Sequence, residues 1–204
     1  MKKYIYLISP QKIEGKKFYK ELNNILKTNK IKYFQLRLKR VSTSNLIRIS
    51  KKVKKIVKKN NVKFLINDKP HVAKIVNADG CHIGQKDMDL TSARKILGKS
   101  KIIGVTCHNS KKLASIAIKQ GADYVAFGSF FKSLTKKTAF KANLELLRWA
   151  KKKINMPTVA IGGINSSNYK KILFNGADFI ACSGYIWNNK KLDPASAIKN
   201  LIKK

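Results

Sequence analysis

Short apolar, β-branched runs alternate with amphipathic stretches along all 204 residues, and no other feature narrows the fold as far. Eight runs read as strands: Tyr4–Ile8, Ile31–Arg37, Val62–Asn67, Gly80–Ile83, Lys101–Val105, Tyr124–Gly128, Thr158–Ile161 and Phe179–Cys182. Between them lie helical patterns with start and stop signals. Ser44 precedes Leu46, Ile47, Ile49, Val53, Ile56 and Val57 at helical spacing. Pro70 occupies a first-turn position, Thr91 reads as the cap of a short helix ended by Gly98, and Ser110 caps one ended by Gly121. Asn143–Lys153 and Ser167–Phe174 follow, and Asp193 reads as a cap before Pro194. Strands alternating with helices point to a parallel sheet, closed as an eight-fold barrel or open and doubly wound.

An internal repeat chooses between them. Asn77-Ala78-Asp79-Gly80, Gly121-Ala122-Asp123-Tyr124 and Gly176-Ala177-Asp178-Phe179 each lead into a strand, with aspartates 44 and 55 residues apart. That is about two strand-helix units each time, as strands four, six and eight of a barrel would show. The expected fold is therefore α/β, a (β/α)8 TIM barrel, as one domain over residues 1–204. At roughly 25 residues per unit it is a lean one.

Composition excludes several other classes. The chain carries 45 Lys and Arg against 10 Asp and Glu, a net charge of +35, which raises nucleic acid as a partner. Only five of the basic residues are Arg, whereas planar recognition of phosphates and bases favours Arg. The Lys also fall as helix-face repeats (Lys51, Lys52, Lys54, Lys55, Lys58, Lys59), the pattern of a solvated surface. Neither a nucleic-acid nor a membrane partner is expected. Cys81, Cys107 and Cys182 form no C-x-x-C pair and suit buried thiols in a reducing cytoplasm. Met1–Pro10 imitates a signal peptide, but its apolar run is too short, and no stretch approaches a membrane span.

In a barrel of this kind function gathers at the C-terminal ends of the strands. Those ends carry Gln35, Arg37 and Lys39; Asn67 and Asp68; Gly84 to Asp87; Thr106, Cys107 and His108; Gly128 with the loop Lys132 to Lys136; Gly162-Gly163; and Ser183-Gly184. Acidic residues are so few that each one informs. Asp79, Asp123 and Asp178 read as turn residues, Glu14, Glu21 and Glu145 fall on helical stretches, and Asp89 fits the loop before Thr91. Asp68 and Asp87 remain, on adjacent strands, among Lys39, Lys136 and hydroxyls. Two carboxylates among cations are the hard-oxygen set that holds Mg²⁺ on a substrate phosphate. The Gly162-Gly163 and Ser183-Gly184 turns offer backbone N–H groups where barrels of this type commonly bind a second phosphate. His82 reads as a satisfied interior residue, His71 as no ligand, His108 as a possible substrate contact, and Cys107 as packing.

LINDKPHVAKIVNADGCHIGQKD, GVTCHNS, GADYVAFGSFFKSLTKK, PTVAIGGI and NGADFIACSG, in this order, resemble the thiamine phosphate synthase family, with YIYLIS and FQLRLK extending the likeness over nearly the whole chain. The resemblance implies an enzyme that joins hydroxymethylpyrimidine diphosphate to a thiazole phosphate and releases diphosphate. By position it implies that Gln35, Arg37, Lys39, Asn67, Thr106 and Lys136 hold the pyrimidine diphosphate. Arg37, Lys39, Thr106 and Lys136 would be the catalytic groups, and Asp68 and Asp87 would bind Mg²⁺. Ser133, Thr135, Gly163, Ser183 and Gly184 would receive the thiazole phosphate. Thr106 stands where many members have Ser, Lys132-Ser133 replaces Pro-Thr, Leu38 takes an often acidic position, and Ser183-Gly184 departs from an apolar-Ser pair. A thiazole tautomerase on the same scaffold is the alternative, and Asp68, Asp87 and Lys136 argue against it, since it has no diphosphate to release.

Overall fold

The computed structural model describes residues 4–132 and 139–203. Its strands are β1 (Ile5–Ile8), β2 (Ile31–Leu36), β3 (Lys63–Asn67), β4 (Gly80–Ile83), β5 (Ile102–His108), β6 (Tyr124–Gly128), β7 (Thr158–Ile161) and β8 (Phe179–Cys182). They pair in parallel in chain order, and β1 closes on β8 with Ile5 opposite Ile180 and Leu7 opposite Cys182. Helices α1 (Gly15–Lys27), α2 (Thr43–Lys59), α3 (Pro70–Ile75), α4 (Leu90–Leu97), α5 (Lys111–Lys119), α6 (Leu144–Lys153) and α7 (Tyr169–Phe174) separate the strands; α8 (Gly184–Trp187) and α9 (Pro194–Leu201) follow β8. The closed barrel is thus the fold, and the open sheet is excluded. Among the described residues no helix is long and apolar enough to cross a membrane.

The period of two in each strand divides the apolar residues between two cores. On β1, Ile5 and Leu7 join the layer between sheet and helices, with Phe18, Leu22 and Ile25 of α1. Tyr6 and Ile8 turn the other way, into the barrel, beside Leu65, Tyr124, Ala126, Val159 and Ala181. Four aromatic rings pack across this interior. Tyr6 meets Tyr33 and Tyr124 edge-on, Tyr33 meets Phe179 edge-on, and Tyr33 stacks on Tyr124 at 6.1 Å. Space for the Tyr124 ring comes from Gly104, where a Cβ would stand 1.8 Å from the ring.

The repeated Gly/Asn-Ala-Asp turn does more than stop a helix. Each aspartate, one residue before β4, β6 or β8, accepts the backbone N–H of a residue at the start of the preceding strand. Asp79 takes Phe64 N at 2.9 Å, Asp123 takes Ile103 N at 2.7 Å, and Asp178 takes Thr158 N at 2.9 Å and its hydroxyl at 3.1 Å. Arg94 adds a second clamp at the base, donating to the carbonyls of Gly98, Lys101 and Gly121 and to the Asp123 carboxylate.

Two helix starts differ from the sequence reading. Ser42 caps α2, its hydroxyl accepting Asn45 N, and Ser44 lies inside the first turn. Asp89 caps α4 by accepting Ser92 N, and Thr91 lies inside the helix. In both cases the cap stands three residues before the N–H that it satisfies, and an earlier residue had the oxygen to do it. Ser110 and Asp193 cap α5 and α9 as read, and Asn143, read as the first residue of a helical stretch, caps α6.

Candidate active site

The strand ends converge on one rim. At the end of β2 the buried Gln35 donates from Nε2 to Asn67 Oδ1 of β3 at 3.0 Å, so the two amides form one polar floor. Arg37 follows, its backbone N–H held by Ser9 Oγ at 2.9 Å. Lys39 reaches over β3, and its Nζ lies 3.3 Å from Asp68 Oδ2. Asp68 sits in the left-handed region (φ 59), which Asp tolerates better than most residues, and its N–H is fixed by the His82 carbonyl at 2.8 Å.

Asp87 comes from the loop after β4. Its Oδ2 accepts Gly84 N at 3.0 Å, and a Cβ at Gly84 would approach that oxygen to 2.7 Å. Partial burial, and then the Asp68 carboxylate beside it, push the Asp87 carboxyl above its ordinary value, while the Gly84 N–H and Lys39 pull the other way. A carboxylate whose proton affinity is raised by a second carboxylate beside it belongs to a donor set that a hard divalent cation relieves. Among the described residues no cluster of three or more His, Cys, Asp or Glu could hold a metal. Two protein carboxylates suffice for Mg²⁺ when substrate phosphate and water complete its shell, so these residues fit the ion.

Thr106, half-buried near the end of β5, has its carbonyl held by Gln85 Nε2 at 2.6 Å and its hydroxyl by His82 Nε2 at 2.8 Å. His82 is buried as expected. Burial, despite the nearby Asp87 charge, lowers its pKa to about 4, and Arg37 adds to the lowering. His108 has φ 50 and stacks on Phe140 at 4.0 Å on the rim. Cys107 is fully buried, its thiol pushed by burial up to about 12, which leaves it in the packing role.

At the opposite side of the mouth, Gly162 and Gly163 have φ 108 and 63. They also admit the loop after β6, since a Cβ at Gly162 would meet Ser129 Oγ at 2.0 Å and one at Gly163 would meet the Lys132 carbonyl at 2.5 Å. Gly184 opens α8, and Ser183 directs its hydroxyl into the Ser9 carbonyl at 3.1 Å, so that proton is not free for a ligand. Ser133, Thr135 and Lys136 lie outside the described residues.

The rim thus brings together Gln35, Arg37, Lys39, Asn67, Asp68, Asp87 and Thr106, with Gly163, Ser183 and Gly184 on the loops after β7 and β8. Sequence reasoning did not name Ser9 and placed Gln85 at a strand end without a role, though both hold neighbours in place, and it gave His82 and Tyr124 no part in the site. A glycine in the middle of β5 was the available sign that a large ring approaches there.

Comparison with known proteins shows the family to which the chain belongs. The family model for thiamine monophosphate synthase matches residues 5–186. A thiamine-phosphate synthase of Pelagibacter ubique is 58% identical over 200 residues, covering 98% of this chain and 96% of the relative. One from Rhodospirillum centenum is 38% identical over 194 residues, covering 95% and 93%. The solved structure of thiamine phosphate pyrophosphorylase from Pyrococcus furiosus superposes with a TM-score of 0.86 at 29% identity, covering 98% of this chain and 93% of that one. With a family match over most of its length, and relatives aligned nearly end to end, the chain belongs to the thiamine monophosphate synthase family.

Proposed function

We propose that this chain condenses hydroxymethylpyrimidine diphosphate with a thiazole phosphate, giving thiamine phosphate and diphosphate. The reaction breaks the bond between the pyrimidine methylene carbon and the diphosphate oxygen and forms one from that carbon to the thiazole nitrogen. The electron pair of the broken bond leaves on diphosphate, so the chief electrostatic need is at the departing oxygens. Lys39 and Arg37 are cations on that side, and Lys136 joins them by family likeness. Their charge is set before reaction and needs no reorganisation. Asp68 and Asp87 would hold Mg²⁺, which when bound supplies further neutralisation of the diphosphate. Gln35, Asn67 and Thr106 orient the pyrimidine, keeping the methylene facing the thiazole side. Gly163, Ser183 and Gly184 offer backbone N–H groups to the thiazole phosphate, and Ser133 and Thr135 offer hydroxyls. No side-chain nucleophile is required.

The observation that carries this reading is that Lys39 lies 3.3 Å from Asp68 while Asp68 stands near enough to Asp87 to push its carboxyl up. A tautomerase acting on the thiazole alone has no leaving diphosphate for such a cluster to serve. The three buried, unpaired cysteines suit a reducing cytoplasm. The test is to mix the purified chain with both phosphorylated heterocycles, with Mg²⁺ or with EDTA, and to assay thiamine phosphate. Product with Mg²⁺ and little with EDTA is expected. Rearrangement of a thiazole substrate in the absence of the pyrimidine, with no condensation, would favour the tautomerase instead.

A further inference from the structure

Four side chains from four strands form a single hydrogen-bonded file inside the barrel. His82 Nε2 lies 2.8 Å from Thr106 Oγ1, His82 Nδ1 lies 2.8 Å from the Tyr124 hydroxyl, and that hydroxyl lies 2.8 Å from the hydroxyl of Tyr6. The outer end, Thr106, is half-buried at the mouth. The inner end is closed, because Tyr6 is 2% exposed and, among the described residues, Tyr124 is the only partner of its hydroxyl.

Counting protons fixes the direction of the file. The Tyr6 O–H has one acceptor, the Tyr124 oxygen. The Tyr124 proton then goes to His82 Nδ1, which must accept. A neutral imidazole that accepts at Nδ1 carries its proton on Nε2 and donates it to Thr106 Oγ1. The proton of Thr106 is left to point elsewhere. Run in reverse, or with an imidazolium in the middle, the file strands the Tyr6 proton in the barrel with no acceptor, an arrangement that folded proteins avoid. Gly104 belongs to the same device, since a Cβ there would stand 1.8 Å from the Tyr124 ring and displace the middle of the file.

We infer that His82, Tyr124 and Tyr6 are positioning residues that hold the Thr106 hydroxyl as a hydrogen-bond donor to the mouth, where it reads a lone pair of the pyrimidine ring. The inference rests on the synthase reading above for the identity of that ring. It also divides the work of the site. A donor aimed at a ring nitrogen withdraws electron density and gives no help to a methylene carbon whose bonding pair is departing with diphosphate. Thr106 therefore contributes to binding and orientation, and its loss is read in KM more than in kcat.

The direct test is ¹⁵N NMR of the full chain labelled at histidine, with the His82 signals assigned by comparison with His82→Phe. The expected result is a neutral His82 protonated at Nε2; protonation at Nδ1, or at both nitrogens near neutral pH, overturns the inference. The second test is a cycle of Thr106→Val, His82→Phe and the double variant, assayed for thiamine phosphate formation. Each single change should raise KM for the pyrimidine diphosphate roughly 3–10-fold, the worth of one neutral hydrogen bond, with a much smaller change in kcat. The double variant should be no worse than the poorer single one, and Thr106→Ser should restore KM. Multiplying effects would mean that His82 acts through packing alone, which overturns the inference. The NMR measurement needs no substrate, so an inactive wild-type chain would end the synthase reading while the His82 tautomer still decides the orientation of Thr106.

Discussion

Asp87 shows the conflict between stability and chemistry most clearly. Its carboxyl is pushed up by partial burial and by Asp68. The folded chain therefore binds that proton more tightly than the unfolded one, and the metal-free protein loses stability as pH rises from the ordinary Asp range through the raised value. Asp87→Asn keeps an oxygen for the Gly84 N–H and removes the repulsion. Because Asp87 is largely exposed the gain is small, and calorimetry in EDTA at pH 7 should place the variant level with wild type or on the order of 1 °C above it. Turnover with Mg²⁺ should fall on the order of 10²-fold, as when one oxyanion donor is lost. An unchanged turnover would remove Asp87 from the site. The cysteines give a second residue-level expectation. Cys81, Cys107 and Cys182 are buried and burial raises each thiol to about 12, so iodoacetamide at pH 8 should label none of them until denaturant is added, as mass spectrometry can count. The metal pair was legible in the sequence because only 10 acidic residues compete for attention and eight of them fall into turns, helices or caps. The His82 file was not legible: its successive members are 24, 42 and 118 residues apart, and of the four only Thr106, at a strand end, reads as a site residue.

Among elements, the strands were the readable part. Four of them, β4, β6, β7 and β8, run over the residues expected from their apolar runs, while β5 continues three residues further, to His108. That extension follows pairing with β6, which reaches His108 after an irregularity past Thr106, and pairing partners are invisible to a local pattern. The Asp turns were read for position but not for strength. Asp178→Ala strands the Thr158 N–H and leaves its hydroxyl only the Gly176 carbonyl at 3.5 Å, while Asp123→Ala strands the Ile103 N–H and also takes the ion partner from Arg94, whose nitrogen keeps the Gly121 carbonyl. Urea unfolding should rank Asp123→Ala (~2–3 kcal/mol) as the more destabilising and Asp178→Ala (~1–2 kcal/mol) second, with turnover at 25 °C near wild type in both. The opposite ranking would show that the Arg94 clamp adds nothing.

At the scale of the whole molecule the net charge of +35 enters the kinetics and not the fold. A diphosphate approaching a strongly cationic protein is steered at low salt and less so when the Debye length shrinks. KM for the pyrimidine diphosphate should therefore rise several-fold between about 0.05 and 0.5 M NaCl, with kcat altered less. A flat KM would assign the lysines to solubility alone. The aromatic quartet of Tyr6, Tyr33, Tyr124 and Phe179 bears on the same traffic, because it stoppers the barrel below the rim. With these rings filling the barrel, nothing passes through its axis, so reactants and products share the solvent on the mouth side, and whichever lingers there delays the next arrival.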